Sequence, residues 1–536
     1  MRFWRRLFPR GSQSVKQATT LIVITALLSN VLGLARNLVF NRFISPDRLE
    51  IYYVSFRIPD LIFTTLVFGA ITSAFIPVIS ELINKEKEET AWKVTDQLLS
   101  WIIVCFTGLI LVLTLFTPFL LGLFVKFQGA DAAVRLAQAV VLTRILLWQT
   151  LFFAISFTLG SLLNGYRKFT TFALAPLVYN VSLIAGGFLA ATHGLYALGA
   201  SVVGGAFLHM LIQAYELRQT HYSFHFRLST SQEIKKIIQL MIPRSISSGA
   251  TQLVLVAYTT LATMYMLKGS FTLYSQINDL QTTPTVIIAN SLATAAFPAM
   301  AGFIAVNKWD ELGVLLNKVI RTTLFALMPT IAICIILRAQ IIGLYIGIGG
   351  AGKEYIHPGM TAFTWFMIGA VPAALVTLLT KVFYADKNAR TPLIATVTSC
   401  VLAVLTASVL VTSAGYHSAA ALAIGDVVLV VSQSAYYIIA LHINRFVNFS
   451  FWDIFTGVVR YGYGTFLAAF GAWLTLQGVD TFYAVTGLLG TDHVVGLFIQ
   501  GLLAGLVGIA IYIGYSSISC QEEMQWIMSR RFLNHR

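Results

Sequence analysis

Between Gln17 and Ser516 the sequence is a succession of apolar runs of about 20 residues or more, each closed by charge, proline or glycine. In hydrocarbon every backbone N–H and C=O has to be satisfied within its own segment, so each run is expected to be a helix. About fourteen can be marked off: 17–44, 51–83, 97–124, 136–163, 170–191, 195–217, 238–267, 270–305, 316–343, 361–383, 392–413, 419–441, 454–476 and 494–516. With 57% hydrophobic and 11% charged residues, the chain exceeds the apolar content of soluble domains, about 45–50%. The fold class expected is an all-α polytopic membrane protein with little chain left for a soluble domain.

Lys and Arg concentrate in cytoplasmic loops of such proteins. With the N-terminus inside, 26 of the 36 fall on the inner side, 7 on the outer side, and Arg36, Arg57 and Arg144 within spans. An even helix count with both termini cytoplasmic follows. The net charge of +14 is then met by anionic lipids at the cytoplasmic face, and calls for no nucleic acid. The apolar run after "MRFWRRLFPRGSQSVK" is too long for a signal-peptide core and lacks a small-residue cleavage site, so it reads as retained. Cys105, Cys334, Cys400 and Cys520 are too scattered for a disulfide framework or a thiolate metal site.

Two matches at nearly one offset point to an internal repeat. "AITSAFIP" closes helix 2 and "LATAAFP" recurs in helix 8, placing Pro77 and Pro298 221 residues apart; "NGYRKFTT" after helix 4 and "FYADKNARTP" after helix 10 place Tyr166 and Tyr384 218 apart. A six-helix unit used twice keeps its membrane sense, so two lobes related by an axis along the membrane normal are expected, with a cavity between them near the midplane. The division is then a basic cytoplasmic N-terminus at 1–16, a first lobe at 17–219 (helices 1–6), a cytoplasmic linker at 220–237, a second lobe at 238–446 (helices 7–12), helices 13 and 14 at 447–518, and a cytoplasmic tail at 519–536. Pro59 and Pro284 break the hydrogen-bond ladder of helices 2 and 8 and are candidate gating bends.

Arg36 sits in "SNVLGLARNLVF", roughly 12 Å from the outer end of helix 1 at 1.5 Å per residue. A guanidinium there costs at least about 2.5 kcal/mol unless it faces water or a counter-ion. It either pairs with Asp60 to hold helices together, snorkels outward, or with Arg57 and Arg144 forms a cationic site for an anionic group. Arginine suits a diphosphate because its planar fork donates two parallel hydrogen bonds and stays charged. Asp60, Asp279 and Asp426 balance the three arginines, so such a site is positive only locally.

"SNVLGLARNLVFNRF", "YYVSFRIPDL", "GAITSAFIPVISE", "GSLLNGYRKFTTFALAPLVYN", "LATAAFPAM" and "FYADKNARTP" resemble the MurJ (MviN) lipid II flippases of the multidrug/oligosaccharidyl-lipid/polysaccharide exporter superfamily, over helices 1 to 11. The resemblance implies a bacterial inner-membrane transporter, not an enzyme. It would carry undecaprenyl-diphosphate-linked muropeptide to the outer leaflet by alternating access, with helices 13 and 14 forming a groove for the lipid tail. It also implies a role in peptidoglycan biosynthesis and cell-wall synthesis proteins as partners. Arg36 matches the family's "LGxAR" arginine, Arg144 an arginine on helix 4, Arg57 a frequent basic position before the helix 2 proline, and Glu50 an acid opening that helix. Asn30, Phe63 and Asp279 stand where well-studied members carry arginine. The diphosphate is then held by fewer arginines together with Asn30, Asn278 and Gln281, or the substrate is another lipid-linked glycan. Some relatives bind sodium through acids on helices 7 and 11; 238–267 and 392–413 contain none. Asp60, Asp279, Asp426 and Glu50 remain as ion-pair or coupling candidates, and membrane potential acting on the arginines is a further energy source.

Other motifs carry little. His221 and His225 in "HYSFH" lack a third ligand and suit an interfacial loop; "NKEKEETAWK" reads as a solvated inner loop; no Walker-type loop or cofactor motif is present. A lipid-diphosphate transferase would need paired acids or a metal at one face, whereas the outer loops hold only scattered acids such as Asp47, Glu354 and Asp480. A non-transporting scaffold and a flippase for another polyprenyl-linked oligosaccharide are the competing readings.

Overall fold

The computed structural model describes residues 15–68, 71–220, 222–347, 353–445, 450–486 and 493–528, helical apart from short connections and with no strand among them. Helices are numbered by expected span. They are α1 (Val15–Phe43), α2 in three pieces (Pro46–Ser55, Arg57–Ile62, Ile71–Asn84), α3 (Glu88–Phe124), α4 (Ala132–Gly165), α5 (Thr170–His193), α6 (Leu195–Leu217), α7 (Gln232–Tyr265) and α8 in two (Ser270–Thr285, Ser291–Ala305). Then come α9 in two (Trp309–Ile336, Arg338–Ile346), α10 (Lys353–Ala385), α11 (Arg390–Thr412), α12 (Ala419–Arg445), α13 (Phe451–Thr486), α14 (Val494–Ser519) and a short α15 (Gln521–Met528). Among the described residues ten helical stretches are long and apolar enough to cross a membrane by length and composition; the other four expected spans fall on α1, broken α2, α7 and α13, which are not among those ten.

Several helices overrun the hydropathy limits, because extending a formed helix adds one hydrogen bond per residue fixed whatever its side chain. The run read as a solvated loop turns at Lys85–Glu86 and is helical from Glu88, with Glu88 and Glu89 beside the positive end of α3. Lys318, Arg321, Lys381 and Arg460, assigned to the inner segments, lie on α9, α10 and α13.

The repeat is written into the backbone. Glu86, Arg167, Asn307 and Lys387 all have φ between 55° and 57°, one closing each of the connections 2–3, 4–5, 8–9 and 10–11. After each, the next N–H returns to a carbonyl five residues back: Lys87 to Leu82, Lys168 to Leu163, Lys308 to Phe303 and Asn388 to Phe383, all at 2.9 Å. This is the Schellman stop, here made without the usual glycine. Helices 2 and 8 match in their interiors too. Phe63–Phe68 and Val286–Asn290 are π-helical, a geometry that leaves carbonyls off the regular ladder and breaks the helix at corresponding places.

The chain divides into two compact units between Thr272 and Leu273. The first packs Phe40 and Ile44 of α1, Leu49 and Tyr52 of α2, Leu142 and Leu146 of α4, and Leu183 and Leu198 of α5 and α6. α7 lies in this unit: Ser245 Oγ donates to the Thr65 carbonyl (2.7 Å) and Gln252 Nε2 to Thr64 Oγ1 (3.1 Å), so two α7 side chains take up groups of the π turn. In the second unit α13 and α14 pack on α9 through Ile333, Leu337, Ala472, Leu476 and Ala504. Small residues permit this approach; a Cβ on Gly508 would stand 3.1 Å from the Ala468 carbonyl. Below, Glu523 of α15 accepts from Arg321 of α9 and Tyr461 of α13, both at 2.6 Å.

Candidate functional site

Helix 2 is broken where proline requires it. Pro59 cannot donate to the Ser55 carbonyl four residues back, and the buried Thr143 hydroxyl of α4 takes that carbonyl at 3.1 Å. The same device recurs twice. Pro118 of α3 frees the Thr114 carbonyl, to which Arg144 Nε donates at 3.0 Å; Pro329 of α9 frees that of Phe325, taken by the Tyr512 hydroxyl at 2.7 Å. In hydrocarbon an orphaned carbonyl costs several kcal/mol, so proline breaks persist where a neighbour supplies a donor. Arg144 is thereby joined to α3.

Arg57 meets Asp60 one turn on in α2. Arg57 is 7% exposed, donates to the Tyr53 carbonyl (3.2 Å) and to Asp60 Oδ2 (3.3 Å), and lies 5.2 Å from the centre of the Phe271 ring. Half-buried Arg36 donates from Nε to Asn37 Oδ1 (3.0 Å) and stands 5.9 Å from the Phe40 ring. Half-buried Asn30 lies six residues before Arg36 on α1, a little under two turns away. Phe63 packs against Phe153 and Phe157, with tilted rings centred 5.1 and 5.7 Å away.

Glu50 is engaged elsewhere. Its carboxylate accepts from Arg135 Nη2 (2.7 Å) and the Phe271 N–H (3.1 Å), with the two side chains 2% and 6% exposed. Phe127 stacks on the guanidinium at 4.2 Å. Sequence reasoning missed Arg135, which stands beside the outer loop and carries no mark of burial.

In the second unit Asn278, Asp279 and Gln281 lie on the first half of α8, above Pro284 and the π turn. Gln281 Nε2 donates to Asn278 Oδ1 (2.9 Å), and Asp279 is exposed. Below the turn Lys381 Nζ of α10 donates to Asn290 Oδ1 (2.9 Å) and Thr294 Oγ1 (2.5 Å), a cation near the end of the expected span 361–383 that the charge count gives to the inner side. Asp426 of α12 accepts from the buried Tyr274 hydroxyl at 2.7 Å. His221 lies outside the described residues, and among those described no group of three or more His, Cys, Asp or Glu could hold a metal.

Repeated membrane helices, broken alike in each repeat and carrying arginines within them, define a polytopic transporter. Three comparisons make this specific. The family described as "Lipid II flippase MurJ" matches residues 47–490, and the chain belongs to that family. The lipid II flippase of Burkholderia cenocepacia is 24% identical over 378 residues, covering 68% of this chain and 72% of that protein; a probable lipid II flippase of Rickettsia prowazekii is 24% identical over 396, covering 71% and 75%. A solved lipid II flippase in an inward closed conformation superposes with a TM-score of 0.74 at 20% identity, covering 94% of this chain and all of that one. An inward-facing MATE multidrug transporter gives 0.66 at 14% identity, covering 81% and 95%; at such identities the likeness is one of fold.

Proposed function

We propose that this protein moves lipid II from the inner to the outer leaflet of a bacterial inner membrane by alternating access, with both termini cytoplasmic, as a transporter and not a catalyst. The observation that carries the reading is the match of residues 47–490 to the lipid II flippase family, in a chain that holds Arg36 half-buried within α1 and Arg57 on Asp60 beside the break in α2. A diphosphate suits guanidiniums, because each can offer it paired donors. Asn30 extends the donors on α1; Asn278 and Gln281 offer neutral ones on α8. Arg144 in this reading positions α4 against α3. Glu50, Asp279 and Asp426 act as ion-pair or hydrogen-bond partners, and the breaks after Pro59 and Pro284 are where α2 and α8 bend. The exposed row Phe466, Phe470 and Trp473 on α13, stacked at 6.3 and 5.9 Å, suits a polyprenyl tail.

The test is rescue of a bacterium depleted of its own lipid II flippase, with expression and insertion checked. Rescue by wild type, but by neither Arg36→Ala nor Arg36→Lys, is expected. Rescue by Arg36→Ala would remove the role given to that residue. Failure of inserted wild type would favour another polyprenyl-diphosphate-linked glycan or a cell-wall scaffold.

A further inference from the structure

The connection between α6 and α7 is strapped to α3. Asp96, whose side chain is 3% exposed, accepts from the Tyr222 hydroxyl (2.8 Å) and the His225 N–H (3.2 Å) and stands 3.5 Å from the Arg227 guanidinium. One turn on, Ser100 Oγ accepts from the Arg227 N–H (2.8 Å), while Gln97 and Trp101 donate to Ser229. These four α3 residues form one helix face. Along the strap Phe224, Phe226 and Leu228 are 44%, 57% and 48% exposed. Burial, then the bond to Asp96, holds the Tyr222 phenol above its ordinary pKa, so it stays a donor.

Behind the strap is an open apolar crevice of about 260 Å³, walled by Leu99 and Ile103 of α3, Leu159 of α4 and Met210 of α6, with Phe224 and Arg218 at its mouth. Arg218, on the 3-10 turn ending α6, is exposed and has no ion-pair or hydrogen-bond partner among the described residues. Hydrocarbon walls with one unpaired cation at the mouth are complementary to a chain carrying a single anionic head. We propose that this crevice binds one anionic glycerophospholipid, an acyl chain against Met210 and Leu159 and the phosphate on Arg218. Only the choice of leaflet, the inner, rests on the orientation proposed above.

Native mass spectrometry of the full chain in detergent, titrated with phosphatidylglycerol or with phosphatidylcholine of identical chains, tests the site. Wild type is expected to retain one phosphatidylglycerol with a preference of roughly fivefold. Arg218→Gln should abolish the preference, Arg218→Lys should keep it, and Met210→Trp, which fills the crevice, should weaken both lipids. Glycerol phosphate without chains should not compete. Equal retention of the two lipids by wild type, an unchanged preference in Arg218→Gln, or competition by glycerol phosphate would each overturn the proposal. Flippase rescue by Arg218→Gln is expected to match wild type, which separates this site from the lipid II reading.

Discussion

Replacing Glu50 by alanine removes the carboxylate that holds Arg135 and the Phe271 N–H together. Both charges are nearly inaccessible, at 2% and 6% exposure and 2.7 Å apart, and Arg135 Nε is already buried without a partner. The substitution strands a guanidinium and a backbone donor, and breaking a buried pair from one side costs about 3–5 kcal/mol. At roughly 2–4 °C per kcal/mol for a unit of this size, the unfolding temperature should fall on the order of 10 °C. Intrinsic-fluorescence thermal scans of detergent-purified protein at one scan rate provide the measurement. Because desolvating both ions is itself expensive, Glu50→Leu with Arg135→Leu should cost less than either single change. A Glu50→Ala protein melting within about 1 °C of wild type, or a double variant as unstable as the sum of the singles, would refute the reasoning.

Thr143→Val should destabilise the first unit by about 1–3 kcal/mol by orphaning the Ser55 carbonyl; in a Pro59→Ala background, whose new N–H takes that carbonyl, the loss should disappear, as a double-mutant cycle by thermal unfolding would show. Gly508→Val should cost about 1–3 kcal/mol by pushing α14 off the Ala468 carbonyl, read as faster hydrogen exchange in α13 and α14. Burial works against the Glu523 carboxylate, but the Tyr461 hydrogen bond and the Arg321 pair win and hold its pKa below the usual value. A depressed folded pKa contributes stability that is fully present above the unfolded value, about 4.3, and is lost as pH falls through the folded one. Amide protection of 521–528 should therefore stay constant from pH 8 to about pH 5 and drop below about pH 4, whereas Glu523→Gln should lack the extra protection throughout.

The hydropathy runs, the prolines and the two offsets near 220 residues are local properties of the chain, and they specified an all-helical membrane protein with a duplicated pattern before any contact was considered. They also marked α2 and α8 as broken helices, since a missing N–H acts on its own ladder. Helix ends were less legible, because charge stops a hydropathy window but not a helix, as α3 shows by starting at Glu88.

The partners of the charges were not legible at all. Arg57 and Arg144 look alike in sequence, yet one meets Asp60 and the other a carbonyl freed by Pro118, thirty residues away on α3. Glu50 and Arg135 lie 85 residues apart and stand as one buried pair. A helix is fixed by residues within a turn of each other. Where a guanidinium ends depends on which helices pack beside it, so only the tertiary structure could separate an arginine that meets a carboxylate from one that meets a freed carbonyl.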